Sequence, residues 1–134
     1  MKLKYTKDIC GNEILCDESE THQVMMEWEK PYMEYSINKF NPKGRVLELG
    51  FGMEYSASKI CETEMVTEYN VIECSPIVWE IFEIWKENQQ KIRPDLKINL
   101  INGMMKKFKN VRMRIIFRNV HYVANNRRFK CSKV

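Results

Sequence analysis

The chain has 134 residues, 44% of them hydrophobic and 30% charged, with a formal net charge of +4. That composition excludes a disordered chain and fits one globular domain. No apolar run approaches the ~18 residues of a membrane span, and the basic start, Met1 to Asp8, lacks the apolar stretch of a secretory leader, so a cytoplasmic protein is expected. Five cysteines without a C-x-x-C, beside only two histidines, read as reduced thiols rather than a metal site. The charge is divided. Residues 1–105 carry 12 Lys/Arg against 18 Asp/Glu, a balance of −6, whereas residues 106–134 carry ten Lys/Arg and no acid, a balance of +10. The sequence therefore divides into a mixed-charge domain, 1–105, and a basic tail, 106–134.

Residues 1–22 read as loop with one hairpin, Ile9-Cys10 and Ile14-Leu15 flanking the turn pair Gly11-Asn12. Residues 17–21 read as solvated. Residues 23–40 read as helix broken at Pro31, with Val24, Met25 and Trp28 on one face and Met33, Ile37 and Phe40 on the second run. Asn41-Pro-Lys-Gly44 stops it. Strands follow at 45–49, 69–73 and 97–101, with helices at 54–62 and 76–90. Ser75 is placed at the N-cap, and Val78, Ile81, Phe82 and Trp85 form the buried stripe of the second helix. Strands alternating with helices predict an α/β fold with a three-stranded parallel sheet.

The chemistry is carried by Val46-Leu-Glu48-Leu-Gly50-Phe-Gly52 and by Glu73, which closes the next strand 21 residues after Gly52. Glycines after a strand let backbone approach a ligand, the next helix offers free N–H groups, and an acid at that distance suits ribose hydroxyls. A dinucleotide site needs a third glycine, but Glu54 and Tyr55 stand there, and Glu54 repels a pyrophosphate. Glu48 ahead of the glycines suits a cationic adenosyl ligand, which favours S-adenosylmethionine. Glycines that serve packing alone remain the alternative.

Val24-Met-Met-Glu-Trp-Glu-Lys-Pro-Tyr-Met33, Gly44-Arg-Val-Leu-Glu-Leu-Gly-Phe-Gly-Met53 and Ile72-Glu-Cys74 resemble guanidinoacetate N-methyltransferase and its relatives, the type 2 arginine N-methyltransferases. The resemblance spans roughly residues 3–103. It implies a partial class I methyltransferase fold, Rossmann-like, whose N-terminal helical segment covers the cofactor edge. It implies S-adenosylmethionine as cofactor, with Glu73 on the ribose and Cys74 beside it. Met53, Glu54, Tyr55, Ser56, Ala57 and Ser58 would line the methionine and adenosine side. Met25 and Met33 would pack on the cofactor, Tyr5 would close over it, and Met104 and Met105 would reach the adenine. Glu29 would grip the guanidinium of a small-molecule substrate or a protein arginine. A carboxylate meets that planar fork of donors bidentately, and methyl transfer then depends on orientation.

Three departures stand out. Glu54 replaces the family's small residue. Gly103-Met-Met-Lys-Lys107 replaces an aromatic and acidic block. The second carboxylate of the guanidinium clamp has no counterpart, because no Asp or Glu follows Asp95. A truncated or inactive copy is the resulting expectation. For the tail three readings stand: out-of-frame or degenerate sequence, which is favoured; an edge strand with a solvated end; or a contact to nucleic acid or an acidic partner, with Phe108, Phe117, Tyr122 and Phe129 among the cations, which would make the chain a non-catalytic binding protein.

Overall fold

A computed structural model describes residues 2–103. An antiparallel sheet of β1 (Leu3–Lys7), β2 (Glu13–Asp17) and β3 (Gln23–Met26) leads through a short 3-10 turn, Glu27–Glu29, into helix α1 (Lys30–Phe40). A second sheet follows in strict alternation: β4 (Gly44–Leu49), α2 (Tyr55–Glu62), β5 (Val66–Glu73), α3 (Pro76–Ile92) and β6 (Lys97–Asn102). Its order is β4-β5-β6 and both pairings are parallel. The expected α/β architecture with three parallel strands is therefore present. No helix among the described residues is long and apolar enough to cross a membrane.

The parallel strands read as near-continuous apolar runs because helices cover them. Val46, Tyr69, Val71 and Ile98 pack with Ala57 and Ile60 of α2 and with Val78, Phe82 and Trp85 of α3. Phe51, in the turn after β4, is keyed edge-on into this layer, with ring centroids 5.3 Å from Phe82 and 5.1 Å from Trp85. Helix α3 starts with Pro76 in its first turn, and the Ser75 carbonyl accepts from the N–H groups of Val78 and Trp79. The Ser75 side chain makes no cap bond. Ile81 is the stripe member that does not fit: it is 37% exposed and joins Ile77 and Ile84 in a second, outward row.

The N-terminal part differs from the sequence reading. The hairpin is real, but its strands are β1 and β2, with Tyr5 opposite Leu15. Ile9 and Cys10 sit in the turn, where the Asp8 carboxylate accepts from the N–H groups of Cys10 and Asn12. Residues 23–26 are a strand, not a helical turn. Met25 pairs with Leu15 and is buried, whereas Trp28 is 69% exposed, so the two share no face. Four residues of ambiguous period were decided by a waiting strand edge, a tertiary contact that outweighs local preference. The run at 17–21, read as solvated, is a built turn: the Asp17 carboxylate accepts from the N–H groups of Thr21 and His22 and from the Ser19 and Thr21 hydroxyls. From Pro31 onward the reading holds. Met33 and Ile37 are buried, and Asn41 ends α1 in the left-handed conformation.

Glu48 lies fully buried between the sheet and α2, its two oxygens accepting from the Ser56 and Tyr69 hydroxyls. Burial pushes its pKa up to about 7, against the pull of those two bonds. A carboxyl whose folded pKa lies above its unfolded one holds extra protons in the native state, so stability falls as pH rises through that window. Stability against urea is therefore expected to decline between about pH 4.5 and pH 7, and Glu48→Gln to remove on the order of 1–3 kcal/mol of that decline. Urea midpoints of both chains across that range check it.

Candidate functional site

The site lies at the carboxyl ends of the parallel strands. The turn from β4 to α2 packs three left-handed residues into five positions: Gly50 (φ 84°), Gly52 (φ 58°) and Glu54 (φ 67°). Glycine adopts this conformation freely. An L-residue with a Cβ pays about 1–2 kcal/mol for it. Gly52 is also required by space, since a Cβ there would stand 3.0 Å from Cε and 3.1 Å from Sδ of Met25.

Glu73, at the end of β5, organises the turn. One carboxylate oxygen accepts from the Phe51 N–H at 3.0 Å, and the other accepts from Cys74 and Ser75 at 2.8 and 2.9 Å. The Gly50 N–H donates to the Ile72 carbonyl, and the Gly103 N–H to the Glu73 carbonyl. The ends of all three strands thus meet at one buried acid. A carboxylate has about four acceptor positions, so one remains beside Phe51.

The N-terminal sheet closes over this turn. The Tyr5 hydroxyl donates to the Gly52 carbonyl at 2.7 Å, and the Met53 N–H points to the Met25 sulfur at 3.3 Å. Burial, then the charges of Glu73 and Glu54, raise the Tyr5 pKa. Met33 of α1 belongs to the same buried cluster as Met25 and Met53. Glu29 stands half-buried at the start of α1, its Oε1 accepting from the Met26 N–H at 3.1 Å.

A cavity of about 400 Å³ opens beside the turn, lined by Tyr5, Thr6, Lys7, Glu13, Met53, Glu54, Tyr55 and Ile81. Tyr5, Met53, Glu54 and Tyr55 were singled out by the sequence. Thr6, Lys7, Glu13 and Ile81 were not. The alternation of Leu3-Lys-Tyr-Thr-Lys7 was the available signal for a strand there. Glu48, Ser56, Ala57 and Ser58 do not reach the cavity. Glu48 and Ser56 bond each other, Ala57 is wholly enclosed, and the Ser58 hydroxyl accepts from the Trp85 indole at 2.9 Å. Met104, Met105 and the basic tail lie outside the described residues.

A β-α-β-α-β unit with a glycine turn after its first strand and an acid ending its second is the first half of a Rossmann-like fold. The family model for guanidinoacetate N-methyltransferase matches residues 13–122, and the chain belongs to that family. The match runs past the charge boundary at 105/106 into the basic segment.

Among solved structures, spermidine synthase from Thermotoga maritima is similar at 18% identity and a TM-score of 0.43, over 76% of this chain and 41% of that one. A spermidine synthase bound to the transition-state analogue AdoDATO gives 17% identity and a TM-score of 0.42, with the same coverage. Thermococcus litoralis Δ1-pyrroline-2-carboxylate reductase, with NADH and L-proline, gives 13% and 0.39, over 72% of this chain and 32% of that one. The chain therefore spans less than half the length of these proteins.

Glu54→Gly is expected to stabilise the chain by about 0.5–1 kcal/mol, the left-handed penalty removed less the added freedom of glycine in the unfolded state. A raised urea midpoint at unchanged slope confirms it. Tyr5→Phe is expected to cost about 1 kcal/mol and to speed hydrogen exchange in the turn after β4, because its bond to Gly52 pins the first strand there.

Proposed function

We propose that the chain binds S-adenosylmethionine and transfers its methyl group to a guanidino nitrogen, of guanidinoacetate or of arginine, and that it does so slowly. The observation that carries this reading is Glu73, a buried carboxylate at the end of the second parallel strand, bonded to the glycine turn on which Tyr5 and Met25 also close. The residues fit the cofactor chemically. Glu73 offers its remaining acceptor position to ribose, the glycines admit close approach, and methionine and tyrosine side chains supply a polarisable wall. The cofactor supplies an electrophilic methyl on a sulfonium.

The protein's own contribution is orientation and charge. Glu29, whose Oε1 accepts from the Met26 N–H, is the carboxylate we assign to meet a guanidinium. A second carboxylate is needed to fix the guanidinium plane from two sides, and residues 96–134 contain none. A misplacement of about 1 Å can cost on the order of a hundredfold in rate, hence the slow transfer.

Incubation of the full chain with methyl-labelled S-adenosylmethionine and guanidinoacetate or arginine tests this. Slow labelling of the acceptor is expected, lowered about tenfold or more by Glu29→Gln. No transfer to either acceptor, or transfer indifferent to Glu29→Gln, contradicts the reading.

A further inference from the structure

Glu54 precedes α2 in the left-handed conformation, and its side chain makes no cap bond to the helix. Its residue lines the cavity beside the turn, and among the described residues its carboxylate accepts no hydrogen bond and forms no ion pair. Burial raises its pKa, Lys30 lowers it and Glu13 raises it further. Lys30 is exposed, and its ammonium stands over the Tyr55 ring, 5.8 Å from the centroid. A half-buried acid in a strained conformation, bonded to no described residue, is a net penalty to the fold.

The charge of Glu54 reaches the glycine turn. The Tyr5 hydroxyl, 2.7 Å from the Gly52 carbonyl, has its pKa raised first by burial and then by the charges of Glu73 and Glu54. Two carboxylates therefore act on one point at Gly52. Glu73 is already held by three N–H groups, whereas Glu54 is held by none and its charge is left to act on a ligand. Among the side chains that line the cavity, Glu13 and Glu54 stand against Lys7 alone, so the lining is negative.

We propose that Glu54 is a specificity-determining residue, whose carboxylate tilts the site toward the sulfonium cation of S-adenosylmethionine and away from the neutral thioether S-adenosylhomocysteine. This role for Glu54 rests on the methyltransferase reading, which supplies the ligand. The two molecules differ by one methyl group and one positive charge. In both, the sulfur is bonded to the ribose 5′ carbon, so a ribose held by Glu73 keeps the sulfur close to that acid and to the turn bonded to it. A partly desolvated carboxylate attracts the charged form over several ångströms, because little water screens it. The small residue that Glu54 replaces carries no charge with which to tell the two apart. Once the methyl is gone, the hold of Glu54 on the spent ligand is weaker, which favours its exchange.

The test is calorimetric titration of the full chain with each ligand in turn, at about pH 8, above the ordinary carboxylate range. Wild type is compared with Glu54→Gln and Glu54→Gly. The ratio of the S-adenosylhomocysteine to the S-adenosylmethionine dissociation constant is expected to fall about three- to tenfold in both variants. Glu54→Gln keeps the shape of the side chain and removes its charge. Glu54→Gly also relieves the left-handed strain, so a ratio that falls alike in both reports charge, not shape or stability. A ratio that neither substitution moves, or that falls only in Glu54→Gly, overturns the proposal and leaves the methyltransferase reading standing. If folded wild type binds neither ligand, that reading falls and the proposal falls with it.

Discussion

The Glu73 carboxylate is the contact on which the rest of the site depends. It accepts three backbone N–H groups that belong to two different turns, one after β4 and one after β5. Charge-assisted bonds of this kind are about twice as strong as neutral ones, and in a buried setting little water competes for them. Glu73 therefore sets how far the glycine turn stands from the start of α3. Phe51, whose N–H Glu73 holds, carries its ring into the aromatic layer of Phe82 and Trp85. One acid thus links the helix core to the glycine turn.

The N-terminal strands depend on the same turn. Tyr5 and Met25 come from β1 and β3, strands paired through β2, and both end on residues 52–53. Gly52 is the meeting point because only a missing Cβ leaves room for the Met25 thioether. The small sheet therefore acts as a cover whose position is fixed by a hydroxyl, a sulfur and an absent side chain. Glu54 is the discordant part, since it occupies a conformation suited to glycine and brings a carboxylate to the rim of the cavity.

The α/β half was legible because its signals agree across levels. Apolar runs bounded by glycines and Ser75-Pro76 gave β4, β5, β6 and α3 within a few residues, and the 21-residue step from Gly52 to Glu73 survives as a hydrogen bond between their neighbourhoods. The N-terminal half was less legible. Gln23–Met26 is a strand only because β2 presents an edge, and Leu3–Lys7 is too short for its period to decide. Site residues follow the same division. Tyr5, Met53, Glu54 and Tyr55 meet at the cavity, but Glu48 was misread. Its position ahead of the glycines pointed to a ligand, while strand alternation turns it toward Ser56 and Tyr69. Glu13 was invisible as a site residue, because its place depends on a hairpin register that the sequence does not display.

The most direct test of the central claim is calorimetric titration of the full chain with S-adenosylhomocysteine, wild type against Glu73→Ala. The account requires saturable binding by the wild type and its loss in Glu73→Ala, with the variant still folded by its near-ultraviolet spectrum. No heat from folded wild type, or undiminished binding by folded Glu73→Ala, would contradict it.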